Sequence, residues 1–279
     1  AQGDIDLIVG THALFQEKVQ YQNLGLVITD EQHRFGVEQR KALKDKGQKV
    51  DFLVMSATPI PRTLAMSLYG DMDVSTIQSM PRGRKKVITE YVPSISMKPF
   101  LPHLKQYLAS GGQCYVVCPL VNESESLNCR DANQIYDAMS RYFKGQYKVG
   151  LVHGKLSDEQ KNEMMKQFSD NQIQILVSTT VIEVGVDVSN ANMIVIYNAD
   201  RFGLSQLHQL RGRVGRGSQQ GYCYLLSDSK IKEAKERLMF LANHNDGFEI
   251  SKYDLQIRGP GDLLGQKQSG VPTFMIGDV

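Results

Sequence analysis

The chain has 279 residues, 41% of them hydrophobic, and a formal net charge of +2, which is typical of a globular protein with one large domain or two ordinary ones. The near-neutral charge neither favours nor excludes nucleic-acid binding, because the clustering of cations matters more than their sum. No apolar run reaches the roughly 20 residues of a membrane helix and the first residues carry no basic and apolar leader, so we predict a cytoplasmic protein.

Short apolar runs recur along the chain, separated by polar stretches that are compatible with helices. Such runs are typical of parallel strands buried on both faces in α/β layers. The predicted strands are 5–9, 24–28, 52–55, 115–117, 149–152, 173–177, 193–197 and 222–226, and helices are predicted at 98–109 and 230–242. Ligands bind at the carboxyl ends of strands in open α/β sheets, so the polar residues that follow each run are candidate site residues.

Hydroxyl groups follow the first and the sixth run, at Thr11 and at Thr179 with Thr180. Hydroxyls and backbone N–H groups at the start of a helix suit a DNA phosphate. Thr11, His12, Thr179 and Thr180 are therefore candidate DNA-binding residues, although each alone is as compatible with a capped strand end.

Two acidic residues, Asp30 and Glu31, follow the second run. A carboxylate at such a strand end can hold Mg²⁺ beside a bound nucleotide, directly or through water, and its neighbour can orient or deprotonate an attacking water. Acidic residues also favour the first turn of a helix, so this pair by itself leaves both interpretations open.

Small hydroxyl residues follow the third run, in the sequence SATPIPRT at 56–63. Prolines are favoured in the first turn of a helix, and two of them stiffen this turn. Ser56 and Thr58 either relay the state of a nucleotide to another lobe or cap the helix, and the stiffened turn favours the first interpretation.

Gln209, Arg213 and Arg216 have the spacing i, i+4, i+7, so we expect them on one face of a helix. Gly212 and Gly215 lie among them, and each glycine costs roughly 0.5–1 kcal/mol relative to alanine inside a helix. That cost favours close approach to an anionic group over a solvated basic helix. Arginines that reach a transferring phosphate raise the rate by about 10³–10⁵.

Four stretches, in this order, resemble the motifs of superfamily 2 helicases: DEQHRFG at 30–36, SATPIPRT at 56–63, TTVIEVGVD at 179–187 and QLHQLRGRVGRG at 206–217. The stretches at 200–206 and 254–270 narrow the resemblance to the RecG family of bacterial branch-migration helicases, over essentially the whole chain. The transcription-repair coupling factors share the tail, but Gln32, LYGD at 68–71 and PLVNES at 119–124 favour the RecG family.

The resemblance implies an α/β fold with the parallel sheets of two RecA-like lobes of the P-loop NTPase type and ATP between them. Residues 1–84 would be the C-terminal part of a truncated first lobe, 85–229 the second lobe, and 230–279 a C-terminal helical hairpin and translocation loop.

The same resemblance implies roles for individual residues. The nucleotide and Mg²⁺ would be held by Asp30, Glu31, Gly185, Asp187, Arg213 and Arg216, with Gln209 beside the two arginines, which would be the fingers of the second lobe. Asp187 would bind ribose or pair with an arginine. Coupling of hydrolysis to movement would rest on Ser56, Thr58, Arg258 and Gln268.

The implied activity is that of an ATP-dependent double-stranded DNA translocase that remodels stalled replication forks and Holliday junctions. Branched DNA is then the expected partner, single-stranded DNA-binding protein is a candidate partner, and the location is the bacterial nucleoid in the cytoplasm, without a membrane. The alternatives are the motor of a transcription-repair coupling factor and a non-hydrolysing module that binds DNA or protein.

The phosphate loop G-x-x-x-x-G-K-[ST], which cradles the β- and γ-phosphates, does not occur in these 279 residues. We therefore expect weak or absent binding of ATP and Mg²⁺, and negligible hydrolysis, by this chain alone. We also expect the truncated first lobe to favour self-association.

Overall fold

The computed structural model describes residues 5–16, 18–30, 50–56, 73–77, 83–119, 125–179, 188–216 and 219–258. The chain divides into two units, Ala1–Pro59 and Ile60–Val279. None of the helices within the described ranges is long and apolar enough to cross a membrane.

Unit 1 contains two parallel strands, β1 (Leu26–Asp30) and β2 (Asp51–Met55). Both strands alternate exposed and half-buried residues, so one face of the pair lies open. A short 3-10 helix, His12–Phe15, precedes them. The Tyr21 hydroxyl donates a hydrogen bond to the carbonyl of Leu14 at 3.0 Å, which ties this turn to the chain that leads into β1.

The predicted strand at 5–9 is wrong, because these residues have no strand conformation. Leu7 and Val9 are exposed over 79% and 89% of their surface. An apolar run becomes a strand only where a neighbouring strand pairs with its backbone, and no strand in the described part of the chain does so here.

Unit 2 contains a six-stranded sheet in which all strands are parallel, in the order β3-β8-β7-β4-β6-β5. The strands are β3 (Ile88–Val92), β4 (Cys114–Val117), β5 (Val149–Val152), β6 (Ile175–Ser178), β7 (Met193–Ile196) and β8 (Tyr222–Leu226). Every residue of β4, β6 and β7 is buried. The prediction of parallel α/β sheets is confirmed.

Helices cover both faces of this sheet. They are α1 (Leu101–Ala109), α2 (Glu125–Tyr142), α3 (Asp158–Ser169), α4 (Leu204–Arg211), α5 (Lys232–Asn243) and α6 (Gly247–Arg258). Side chains of α1 and α2 share one apolar cluster with one face of the strands, and those of α3 to α6 share a second cluster with the other face. Burial of apolar surface on both faces, at roughly 25 cal/mol per Å², is the main stabilisation of unit 2.

The sequence patterns did not predict β3, which lies at one edge of the sheet. Its residues alternate between exposed and buried environments and contain Glu90. An edge strand that is covered on one side only has no need of a continuous apolar run, so the criterion that found β4 and β7 fails here.

The predicted C-terminal helical hairpin is formed by α5 and α6, joined through residues 244–246. The Phe240 ring stacks between two others, with centroid distances of 3.7 Å to Tyr253 and 3.9 Å to His244. This three-ring stack joins the two helices at their connection.

Candidate nucleotide and nucleic-acid site

Asp30 and Ser56 lie at the same edge of the sheet in unit 1. The register pairs Asp30 with Met55, so Ser56 directly follows the residue opposite Asp30. Both residues are exposed. Carboxylate and hydroxyl oxygens are donors that suit Mg²⁺, so the residues present fit the predicted metal. Glu31 and Thr58, the other members of these two motifs, lie outside the described residues.

Thr11 precedes the short 3-10 helix, and its carbonyl accepts the N–H of Leu14 at 3.0 Å. Its side chain is exposed and makes no capping hydrogen bond to this helix. Capping therefore does not occupy the hydroxyl, which keeps Thr11 as a candidate DNA contact. The side chain of His12 lies outside the described residues.

The expectation that Gln209, Arg213 and Arg216 share one helical face is wrong. Helix α4 ends at Arg211, with Gly212 as its C-cap, so only Gln209 belongs to the helix. Gly212 therefore ends the helix and Gly215 lies beyond it. We call residues 212–216 the arginine loop.

Close backbone approach explains why glycines build the arginine loop. Gly215 has φ +68°, a left-handed conformation that strains other residues. A Cβ on Gly221 would lie 2.9 Å from the backbone of Gly215, a distance that real side chains do not tolerate. The loop thus folds back against the residue before β8, and its backbone path is fixed.

The two candidate finger residues differ in exposure. Arg213 is half-buried, and Arg216 is exposed, with its Nε donating to the carbonyl of Gly212 at 3.3 Å. Both guanidinium groups thus extend from a loop whose backbone is held in place, which suits them to a phosphate ligand.

Arg211, the first arginine of the motif, is only 3% exposed. Its guanidinium donates to the carbonyls of Leu241 and His244, at 2.8 and 2.7 Å, and contacts Nδ1 of His208 at 3.0 Å. Leu241 lies in the last turn of α5, where carbonyls lack helical partners and a cation is favourable. Arg211 therefore joins α4 to the hairpin.

His208 lies one turn before Arg211 on α4. Burial, and to a smaller extent the nearby charge of Arg211, lowers the pKa of His208 to about 4. The imidazole is therefore neutral near pH 7, and its Nδ1 accepts a hydrogen bond from Arg211.

Two partly or fully buried polar side chains meet at the carboxyl ends of β5 and β6. Thr179 is 2% exposed, and its N–H donates to the carbonyl of Val152 at 3.2 Å. Thr179 Oγ1 and His153 Nδ1 are buried and have no hydrogen-bond partner within the described part of the chain. The Thr179 hydroxyl is thus not on the surface, and its contact with DNA stays a prediction.

Several predicted site residues lie outside the described residues: Glu31, Thr58, Thr180, Gly185, Asp187 and Gln268. Arg258 is the last residue of α6, but its side chain also lies outside them. Their roles stay predictions.

Sequence reasoning missed Arg211, His208 and Asn192 as structural residues of the site. One signal existed for Arg211. It falls seven residues after Leu204 and four after Leu207, on the buried stripe of α4, and a charge on an apolar stripe indicates a buried, paired cation. Nothing local marks Asn192, which accepts the N–H of Gly215 across 23 residues of sequence and donates to Gln219 across 27.

Three family models match successive parts of the chain. "DEAD/DEAH box helicase" matches residues 1–67, "Helicase conserved C-terminal domain" matches 100–218, and "ATP-dependent DNA helicase RecG, domain 3, C-terminal" matches 244–277.

The chain is similar along its own whole length to longer curated relatives. It is 54% identical over 279 residues to the ATP-dependent DNA helicase RecG of Bacillus subtilis (strain 168), a match that covers 100% of this chain and 41% of that protein. It is 52% identical over 277 residues to the RecG of Thermotoga maritima, covering 99% of this chain and 36% of that protein. The chain thus spans about two fifths of the length of the curated relatives that it matches.

Solved structures agree with this likeness. A RecG bound to a three-way DNA junction matches with a TM-score of 0.75 and 50% identity, covering 94% of this chain and 34% of that chain. Saccharomyces cerevisiae Dbp5 bound to RNA and ADP BeF3 matches with a TM-score of 0.55 at 17% identity, covering 88% of this chain and 61% of that one, and shows the fold alone. The resemblance predicted from the motifs is confirmed: the chain belongs to the RecG family, whose curated members are named ATP-dependent DNA helicases.

Proposed function

We propose that this chain is the motor part of an ATP-dependent helicase that moves on double-stranded DNA and remodels stalled forks and branched recombination intermediates. The observation that carries the proposal is the likeness, along 94% of the chain, to a RecG bound to a three-way DNA junction. Identities above 50% to RecG proteins favour this function over that of a transcription-repair coupling factor. A non-hydrolysing binding module is the remaining alternative.

The arginine loop is the proposed source of positive charge for the transferring phosphate. A guanidinium presents a planar set of donors that matches phosphate oxygens. Because the turn at Gly215 and the contact with Gly221 fix the backbone of the loop, Arg213 and Arg216 start from a defined position. Donors that are already in place stabilise developing charge without a cost of reorganisation.

Asp30 is the proposed carboxylate for Mg²⁺, with Ser56 at the same sheet edge. When bound, ATP supplies the phosphoryl group and Mg²⁺ neutralises part of its negative charge. Asp30 would hold the metal, Glu31 would orient the attacking water, and Ser56 with Thr58 would respond to the change in the nucleotide. Gly185, Asp187 and Gln209 are further proposed nucleotide-site residues, all in unit 2.

The C-terminal hairpin is the proposed element that converts hydrolysis into movement. The buried guanidinium of Arg211 ties the carbonyl end of α5 to α4, and α4 leads directly into the arginine loop. A displacement of the loop would therefore reach the hairpin through a rigid helix of eight residues. We retain residues 1–84, 85–229 and 230–279 as the two lobes and the hairpin with its loop.

Branched DNA is the proposed partner, contacted by Thr11, His12, Thr179 and Thr180. Hydroxyl side chains bind phosphates and carry no sequence information, which suits a motor that acts on DNA of any sequence. Single-stranded DNA-binding protein remains a candidate partner, and the bacterial nucleoid remains the proposed location.

The test replaces the proposed fingers in a full-length RecG protein that carries this sequence. We expect Arg213→Ala or Arg216→Ala to lower DNA-stimulated ATP turnover by about 10³-fold or more, while nucleotide binding stays nearly unchanged, because the arginines act on charge in the transition state. Arg141→Ala removes an exposed arginine from α2 and is the matched control.

Three outcomes separate the candidate functions. Turnover that persists within a few-fold in both finger variants contradicts the assigned roles. Absence of turnover in the unmodified full-length protein, with linear and three-way DNA alike, would favour the binding module. Turnover that responds equally to linear duplex and three-way junctions would contradict the proposed preference for branched DNA.

A further inference from the structure

The arginine loop is held by two side chains that come from distant parts of the chain. One is Asn192, in the connection that leads into β7. The other is Arg84, in the segment that leads into β3. Neither belongs to the helicase motifs described above, and both lie in unit 2 with the loop.

Asn192 is a buried side chain that links the arginine loop to the residues on either side of it in the fold. It is 3% exposed, and its Oδ1 accepts the N–H of Gly215 at 2.9 Å. Its Nδ2 donates to the carbonyl of Ser189 at 2.7 Å and to Oε1 of Gln219 at 2.9 Å. These partners settle the orientation of the amide, since a backbone N–H needs an acceptor and a carbonyl needs a donor.

Arg84 donates hydrogen bonds to two backbone carbonyls of the same loop. Its Nε donates to the carbonyl of Gly215 at 3.1 Å, and its second nitrogen reaches the carbonyl of Gly212 at 3.5 Å. The Gly212 carbonyl also accepts Nε of Arg216 at 3.3 Å. Arg84 therefore shares an acceptor with one of the proposed fingers and fixes the peptide group from which that finger extends.

The segment around Arg84 also contacts Gly215 of the loop and the two residues that precede β8. Nε2 of Gln220 donates to the carbonyl of Lys86 at 2.7 Å. The side chain of Val87 lies where a Cβ on Gly215 or Gly221 would have to go, at 3.1 and 3.2 Å. Residues 84–87 and the arginine loop are thus joined by hydrogen bonds and by side-chain packing.

We propose that Arg84 is a positioning residue for the arginine loop, which acts on phosphoryl transfer through Arg213 and Arg216 without contacting the nucleotide. The inference rests on the proposed function of those two arginines. Its physical basis is that Arg84 spans the two carbonyls on either side of Arg213, so that removing the guanidinium releases the loop backbone from the segment before β3.

The test compares Arg84→Ala, Arg84→Lys and Lys85→Ala in a full-length RecG protein that carries this sequence. Lys85 is the adjacent exposed cation. Lys85→Ala therefore removes one positive charge, as Arg84→Ala does, but keeps the two hydrogen bonds from Arg84 to the loop carbonyls. We expect Arg84→Ala to lower kcat for DNA-stimulated ATP turnover by about 100-fold, the cost of a misplacement of about 1 Å. Affinity for ADP should stay within about threefold, because Arg84 does not contact the nucleotide and its loss removes no binding interaction in the ground state.

A lysine at position 84 keeps the charge but has one ammonium group, which cannot span both carbonyls. We therefore expect Arg84→Lys to lower kcat by about 10-fold, between the other two variants. Hydrogen exchange of the peptide that covers residues 212–216 should accelerate in both Arg84 variants and stay unchanged in Lys85→Ala. If Arg84→Ala does not fold, Arg84→Lys decides the question alone.

Several results would overturn the proposal. One is a normal kcat in Arg84→Lys or in a folded Arg84→Ala, and another is an unchanged rate of hydrogen exchange in residues 212–216. A third is a loss of ADP affinity as large as the loss of kcat, which would make Arg84 a nucleotide ligand. Failure of the proposed function is distinguishable, because Arg213→Ala and Arg216→Ala would then retain turnover. If Arg84 acts through the two fingers, adding Arg84→Ala to a variant that carries both Arg213→Ala and Arg216→Ala should cause little further loss.

Discussion

Arg211, Arg213 and Arg216 stand within six residues of one another but have different surroundings. Arg211 is buried and donates to the carbonyls of Leu241 and His244, whereas Arg216 is exposed. Burial lowers the pKa of Arg211, and the carbonyl groups at the end of α5 offset the cost of burying its charge. The same residue type is thus a structural anchor at one position and a candidate phosphate ligand two residues later.

His208 makes the anchor sensitive to pH. Its pKa in the folded protein is about 4, lowered by burial first and then by Arg211 and Arg84, with Asp246 acting in the opposite direction. The unfolded value is near 6.5, so the folded state favours the neutral imidazole. The stability that the folded protein owes to the neutral imidazole of His208 is therefore fully present above pH 6.5. It is lost as the pH falls from about 6.5 to 4.

We expect the thermal midpoint of this chain to fall across that range of pH, and His208→Gln to make the fall less steep. The variant removes the titrating group and keeps an acceptor near Arg211. The difference in stability between the two proteins should change by about 1–3 kcal/mol between pH 7 and pH 4.5. His103→Gln is the control, since His103 contacts Tyr224 on the other face of the sheet. Parallel midpoint curves for the parent and His208→Gln would contradict the role of His208.

At the scale of elements, the hairpin of α5 and α6 is attached to the rest of unit 2 around the connection between its two helices. Its buried side chains, Leu238, Leu241 and Ile250, belong to the apolar cluster that also contains the buried face of α4. The ring stack at Phe240 and the guanidinium of Arg211 hold the connection between its helices. The hairpin is therefore a rigid extension of unit 2, and α6 ends at the predicted coupling residue Arg258.

We expect Arg258→Ala or Gln268→Ala in a full-length RecG protein to uncouple the motor. ATP turnover should continue within a few-fold, while unwinding of a three-way junction falls by about 10-fold or more. Phosphoryl transfer depends on positioning within the phosphate site, whereas Arg258 is the last residue of the hairpin and Gln268 follows it in sequence. Lys252→Ala, which removes an exposed cation from α6, is the matched control. Equal loss of turnover and unwinding would instead place these residues in catalysis or folding.

For the molecule as a whole, the two units differ in how much apolar surface they bury. In unit 1, Leu26, Ile28, Leu53 and Met55 are exposed over 43% to 56% of their surface, and the register places Ile28 beside Leu53 on the open face. In unit 2, β4, β6 and β7 are buried throughout. Exposed apolar faces and unpaired strand edges favour association with another chain.

We expect hydrogen exchange in this 279-residue chain to be faster in 26–30 and 51–55 than in 114–117 and 193–196, because local opening is least costly where few apolar contacts are lost. Light scattering should detect self-association at high concentration, and Leu53→Lys should reduce it. Equal protection of the two units in a monomer would show that unit 1 closes its sheet by itself.

The sequence by itself determined the parts of the fold that are buried on both faces. Strands such as β4 and β7 need apolar side chains on both sides, so they leave a continuous apolar run that is visible without a structure. The helicase motifs were equally local, and they identified the family and singled out Arg213 and Arg216 as candidate fingers, although they predicted a helix where the structure has a loop.

Only the tertiary structure decided what depends on partners distant in the chain. The edge strand β3, the end of α4 at Arg211 and the roles of Arg84 and Asn192 all follow from such contacts. Arg84 lies 131 residues from Gly215 and Arg211 lies 33 from His244. Buried polar groups must find hydrogen-bond partners wherever the fold supplies them, and no local pattern of residue types states which distant carbonyl that will be.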